Sequence, residues 1–355
     1  MQNTDFLIIG QGLAGTMLAH FLRHRGATVL VLDAGHRGGA SWVAAGIINP
    51  VTGRRFARSW RIAELLPFAV QTYRVLEREL GVPILHERPL VRALFSVKED
   101  NDWQARAADP DFAPYLAAEA PAPSFAAFCH PVFSYGLTHQ SAQVNTVGLL
   151  AAFSKRALAE GWLREERFAY DALKIEANGV AYRDIQARCA VFCEGIGVQQ
   201  NPYFNHLPIE GAKGEVLILR IPGFPEDAIL KHKVFLVPLG QGLFWAGATY
   251  DWGCPDDLPT QEKKAFLLDQ IRAILKVPFE VVDHRAATRP TVKDRRPLLG
   301  RHAQFPQLAL FNGLGTKGAS LAPYWANHFA DVLLSNAPLD PEVAFGRQTG
   351  REQAP

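Results

Sequence analysis

The sequence predicts an α/β fold in two parts: a discontinuous domain on a mostly parallel sheet, and a second domain on an antiparallel sheet. Three observations predict it. The opening run "DFLIIGQGLAGTMLAHFLRHRGATVLVLDAG" (Asp5 to Gly35) reads strand, helix, strand. From about Leu207 to Val282 the runs "GEVLILRI", "KVFLVPLG" and "LFWAGATYDW" follow one another without helical pattern, which suits an antiparallel wall. Toward the end, "LALFNGLGTKGASLAPYWANHFADVLL" returns to strand, glycine loop and helix, so the first sheet is revisited late in the chain. At 355 residues and 48% hydrophobic content, the chain also exceeds the size at which one core divides into two.

Each element has a local reason. "DFLIIG" is a short apolar run ending in glycine, as expected of a parallel strand covered on both faces. "LAGTMLAHFLRHRG" carries apolar residues at helical spacing and basic residues in its last turn, with Gly26 placed to stop it. "TVLVLD" is the next buried strand. "RRFARSWRIAELLPFAVQTYRVLERELG" reads as a helix broken or bent near Pro67. From Val82 to Tyr135 the pattern is irregular and proline-rich, an excursion from the first domain. "VNTVGLLAAFSKRALAEG" restores a helix with Asn145 or Thr146 as N-cap. Asn178-Gly179 signals a type I′ hairpin turn, leading into the buried strand that ends in "CEGIG". The expected division is 1–81, 136–206 and 283–345 for the discontinuous domain, 82–135 and 207–282 for the second, and 346–355 for a tail.

Bulk properties exclude more than they nominate. Lys+Arg 37 against Asp+Glu 35 leaves a net charge of +2, with no block of like charge to read as a nucleic-acid arm. Cys129, Cys189, Cys193 and Cys254 lack metal or redox spacing and read as reduced; Cys189 and Cys193 read as core side chains on a strand. The first strand begins too near Met1 for a secretory signal, and no run is apolar enough to span a bilayer, so a cytoplasmic protein without membrane partners is expected. No H-E-x-x-H, G-x-S-x-G, zinc-type cluster or Walker A sequence occurs, which argues against hydrolase, zinc-enzyme and P-loop chemistry.

Gly10, Gly12 and Gly15 fit G-x-G-x-x-G, with Leu13 and Ala14 opening the helix between them. Gly10 permits the turn out of the strand, Gly12 lets a pyrophosphate approach the backbone, and Gly15 lets the helix pack close to the sheet. The helix N-terminus offers N–H groups to phosphates. Asp33, followed by Ala34, stands at the end of the second strand, where a carboxylate accepts hydrogen bonds from ribose hydroxyls. The acid argues against a 2′-phosphate, although Arg37 lies near; FAD and NAD both satisfy the Rossmann-like motif. Two more glycine loops, "GHRGGASWVAAGIINP" and "NGLGTKGAS", favour the larger cofactor.

Beyond these readings, "IIGQGLAG...LVLDAG", "ASWVAAGIINP", "VNTVGLL", "CAVFCEGIGV", "LPIEGAKGEVLIL", "VFLVPLGQGLFWAGATYDW", "RPTVKDRRPLLGRH" and "NGLGTKGASLAP" together resemble the D-amino-acid oxidase superfamily of FAD enzymes, glycine oxidase among them, in the family's order. Around "SWVAAGIINP" and "GLGTKG" the chain is also similar to the oxidase half of the bifunctional tRNA wobble-uridine modification enzyme. The resemblance implies a discontinuous, Rossmann-like FAD-binding domain beneath an antiparallel-sheet substrate domain. Gly10, Gly12, Leu13, Ala14, Gly15, Asp33 and Ala34 would hold the adenosine diphosphate. Ala40, Ser41, Gly46 and Gly195 would lie along the pyrophosphate and ring, and Gly313, Gly315, Thr316, Lys317 and Gly318 would meet the flavin's far edge. FAD would be noncovalent, since no cysteine follows Cys254.

By the same resemblance, Arg289 of "ATRPTVKDRRPLLG" would bind a substrate carboxylate, Tyr250 would wall the pocket, and Lys317 would set a cation beside the flavin. The implied reaction oxidises a C–N bond of a small amino acid or amine by hydride transfer to flavin N5; the imine then hydrolyses, and oxygen takes the electrons to give hydrogen peroxide. Rival readings are a tRNA-modifying oxidase acting on a carboxymethylaminomethyl-uridine, which a basic surface near "GRRFARSWR" would favour, an NAD-dependent dehydrogenase, and a flavin binder without turnover.

Overall fold

The computed structural model describes residues 1–35, 37–53, 55–118, 123–253 and 256–347; Cys254 and nearly all of the expected tail lie outside them. The strands Leu163–Glu165, Val29–Asp33, Gln2–Ile9, Ile185–Phe192 and Leu308–Asn312 stand side by side in that order, all parallel. Their side chains alternate between two cores. Phe6 and Ile8 pack with helices Leu13–His24, Ile62–Leu80 and Gly318–Ser335, while Leu7 and Ile9 face a second cluster with Phe192, Phe204 and Leu310. Burial on both faces is why these strands read as unbroken apolar runs.

A second, nine-stranded sheet is built around Glu210–Arg220. That strand pairs antiparallel with Leu243–Gly247 on one side and with Glu280–Thr291 on the other. The segment 82–135 does not stand apart from it: Leu90–Leu94 and Ser134–Thr138 extend the same sheet. The sheet is therefore antiparallel except at one junction, where Ile229–Lys231 lies parallel to Leu90–Leu94. Glu280–Thr291 spans the boundary expected at 282–283 and pairs with Glu210–Arg220 along its length. Trp245 of the second sheet donates from Nε1 to the carbonyl of Val43, in the short helix Ala40–Val43, at 2.9 Å.

Several local expectations need correction. The helix expected from Arg54 begins at Ile62, because Val51–Thr52 and Ala57–Arg58 pair as a small ribbon first. Pro67 sits inside that helix without ending it. The hairpin turn is Ala177-Asn178, one residue earlier than expected: Glu176 pairs with Gly179, and a Cβ at Gly179 would lie 2.4 Å from the Ala187 carbonyl oxygen. Gly179 thus serves close packing, not the turn. A helix, Gln261–Arg272, follows the β-rich runs, with Thr260 capping it by accepting from the Lys263 N–H. Asn145 is the cap of Thr146–Ala159, its Oδ1 accepting from the Gly148 N–H at 2.9 Å. Among the described residues no helix is long and apolar enough to cross a membrane.

Candidate active site

One elongated cavity of about 760 Å³ runs from the end of the first parallel strand to the second sheet. Its nucleotide-motif end follows from backbone geometry. Gly10 leaves the strand at φ +100°, and a Cβ there would lie 2.6 Å from the Cys193 carbonyl oxygen. A Cβ at Gly15 would lie 1.9 Å from the Gly10 carbonyl oxygen, so the helix can start this close to the sheet only as glycine. Asp33 fastens the loop: its carboxylate accepts from the Gln11 N–H at 2.7 Å and the Gly35 N–H at 2.8 Å. Ser41 Oγ accepts from the Leu13 N–H at 3.1 Å, joining the second glycine loop to the helix N-terminus.

Of the residues expected to hold a cofactor, Gly10, Gly12, Leu13, Ala14, Asp33, Ala40, Ser41, Gly46, Gly195, Gly315, Thr316 and Gly318 line the cavity. Gly15, Ala34, Gly313 and Lys317 are not in its wall; Gly15 and Gly313 are packed against protein, and Ala34 is exposed. The wall has room for a ligand where glycine stands: a Cβ at Gly39 or Gly195 would meet nothing of the protein within 4 Å, and both residues face the cavity. A long cavity with helix N–H groups and a strand-end carboxylate at one end fits a dinucleotide cofactor.

At the other end stands Arg289, on the strand Glu280–Thr291 opposite Ala212. No carboxylate forms an ion pair with it among the described residues. Its Nη1 donates to the Ala212 carbonyl at a long 3.5 Å, and its guanidinium lies 5.6 Å from the centre of the Tyr250 ring. Burial pulls its pKa below the ordinary arginine value, the signature of a cation short of counter-charge. Tyr250 is 44% exposed and lines the cavity, with the Trp252 ring outside the wall and 5.2 Å from its own. Lys317 turns away: its Nζ donates to Ser59 Oγ at 3.2 Å, and burial together with Arg295 lowers its pKa.

Sequence reasoning overlooks several wall residues. Gly214 is the sharpest case, because a Cβ there would lie 2.0 Å from Arg289 Nη2; a glycine inside "EGAKGEV" is itself a signal of close approach. Glu194 lines the cavity with its carboxyl raised by burial, despite hydrogen bonds donated by Tyr170 and Asn201. Nothing local marks it as buried. Cys129, Cys189 and Cys193 are free, buried thiols, pushed up by burial and therefore unreactive.

The chain resembles known proteins along nearly its whole length. A curated relative, the tRNA 5-methylaminomethyl-2-thiouridine biosynthesis bifunctional protein MnmC of Aromatoleum aromaticum, is 27% identical over 94% of this chain, which spans 57% of that relative's length. The glycine oxidase of Bacillus licheniformis is 24% identical, covering 99% of this chain and 98% of the relative. Among solved structures, iminodiacetate oxidase from Chelativorans sp. BNC1 superposes with a TM-score of 0.79 over 96% of this chain and 98% of that one; at 20% identity the likeness is one of fold. The family model for FAD dependent oxidoreductases matches residues 5–332, and with the glycine-loop cavity this places the chain in that family as an oxidoreductase.

Proposed function

We propose that the chain oxidises a C–N bond of a small amino acid or secondary amine that carries a carboxylate, with FAD held noncovalently. The observation that carries this reading is Arg289, a half-buried guanidinium facing the cavity with no acidic partner among the described residues. A planar fork of donors matches a carboxylate in two parallel hydrogen bonds and needs no proton transfer.

When bound, FAD supplies a hydride acceptor for the carbon beside the amine nitrogen. Gly10, Gly12, Leu13 and Asp33 would hold its adenosine diphosphate, with Ser41 and Gly195 along the pyrophosphate. Arg289 would fix the substrate carboxylate, and Tyr250 would close the open side above it. The chain's part is then orientation and exclusion of water, so no acid–base pair is required. The imine leaves and hydrolyses.

A second reading, a modified nucleoside in tRNA as substrate, draws on the rim. Tyr250 is 44% exposed at the cavity wall with the 53% exposed Trp252 ring 5.2 Å from its own, and exposed aromatic rings can stack bases. The carboxymethylaminomethyl group is itself a secondary amino acid, so Arg289 would serve it equally.

Anaerobic mixing with glycine, sarcosine, D-amino acids and modified tRNA should bleach the flavin with one class only. Arg289→Ala should weaken carboxylate-bearing substrates by roughly two orders of magnitude, from the loss of charged hydrogen bonds, while flavin content holds. A variant that loses flavin yet handles substrate normally once reconstituted would make Arg289 structural.

A further inference from the structure

We propose that His20, His24 and Glu79 form a site for one divalent transition-metal ion of the zinc class, clamping the opening helix to the helix Ile62–Leu80. His20 and His24 stand at i and i+4 of Leu13–His24, so both rings emerge on one face. Their centroids are 4.2 Å apart. Glu79 comes from the last turn of Ile62–Leu80, with Oε1 2.8 Å from His24 Nε2 and Oε2 3.5 Å from His20 Nδ1. One ligand atom from each residue lies within 4.8 Å of the others. At zinc–nitrogen and zinc–oxygen distances near 2.0–2.2 Å, tetrahedral ligands sit about 3.3 Å apart, a spacing that the 2.8 and 3.5 Å approaches of Glu79 to the two rings bracket.

A simple hydrogen bond between His24 and Glu79 accounts for only part of this arrangement. His20 is 6% exposed, and its Nδ1 approaches Glu79 Oε2 at a long 3.5 Å. A buried imidazole without a good hydrogen bond is costly unless something else engages it. Arg25 and Arg156 stand near the His20 ring. Those two arginines do not compete for Glu79: Arg25 pairs with Asp331 at 2.8 Å and Arg156 with Glu160 at 2.7 Å. His24 is 49% exposed, which gives an ion access and leaves a fourth position for water.

The site lies on the far half of the helix whose N-terminus borders the cavity, roughly 10–16 Å along its axis. Its test is therefore separable from flavin chemistry. Untagged, chelator-treated holoenzyme is titrated calorimetrically with zinc chloride, and thermal unfolding is followed with and without the ion. One ion per chain and a raised unfolding midpoint are expected. His24→Ala and Glu79→Gln should each weaken binding about tenfold or more. His24→Cys, which keeps a zinc ligand, should retain binding, and flavin content should be unchanged throughout. Absence of saturable binding, or affinity indifferent to both His24→Ala and Glu79→Gln, would overturn the proposal.

Discussion

At residue scale the charge that the second sheet brings to the cavity wall is the Arg289 guanidinium. The Arg289 guanidinium occupies the space that a side chain at 214 would fill: a Cβ there would lie 2.0 Å from Nη2 and 2.4 Å from Cζ. Gly214→Ala should therefore displace the guanidinium without touching the charge. Misplacement of a positioning group by about 1 Å costs roughly 10²-fold in rate, so kcat/KM for carboxylate substrates should fall on that scale with flavin content intact. Steady-state kinetics beside a flavin absorbance spectrum measures both; an unchanged kcat/KM would show that the cation is not positioned by this strand. The pair also shows what a linear sequence discloses. Arg289 stands out in the sequence from its surrounding "TRPTVKDRRPLLG", whereas Gly214 signals a close approach there without disclosing its partner, which appears only when Ala212 is set opposite Arg289 in the sheet. Lys317 reads as a loop cation beside the cofactor, and its actual partner, Ser59, lies 258 positions away in the chain.

At the scale of elements, the parallel strands and their helices are legible because each carries its own period and its own stop. Gln2–Ile9, Leu13–His24 and Val29–Asp33 stand where the apolar runs and Gly26 put them. The segment 82–135 is not legible, because strands as short as Leu90–Leu94 acquire their identity from neighbours far along the chain. The junction it makes is testable. Lys231 pairs in register with Arg92, and burial beside that arginine pushes its pKa down from 10.5 to about 8. Below pH 8 the lysine is charged in both folded and unfolded chains, and the burial penalty is fully present. Between about 8 and 10.5 the folded chain releases its proton first, so this group's contribution to stability rises with pH. Lys231→Met should then stabilise the protein by roughly 1–3 kcal/mol at pH 7, with the advantage shrinking by pH 10. Urea unfolding of both proteins at the two pH values decides it; an equal difference at both would exclude Lys231 as its source.

At the scale of the whole molecule, the cavity wall is assembled from stretches scattered through the chain: Gly10–Ala14, Gly39–Ile47, Cys193–Gly197, Thr249–Tyr250 and Leu314–Thr316 among them. A ligand that fills this space touches both sheets. Occupancy should therefore stabilise the fold as a unit. A ligand bound only to the native state at 100 times its Kd adds about 2.7 kcal/mol. With an unfolding entropy of about 2.1 cal/mol/K per residue, a 355-residue chain unfolding in one step would melt roughly 4 °C higher. Flavin-stripped protein is the material for the test, scanned thermally alone, with FAD and with NAD at matched concentrations. FAD should raise the midpoint by several degrees and NAD by much less, because the adenosine diphosphate end is common to both and the remainder of the cavity, out to Arg289, is filled by the larger cofactor alone. Equal shifts would mean that only the glycine loop beside Asp33 engages the ligand, and the dehydrogenase reading would then replace the flavin one.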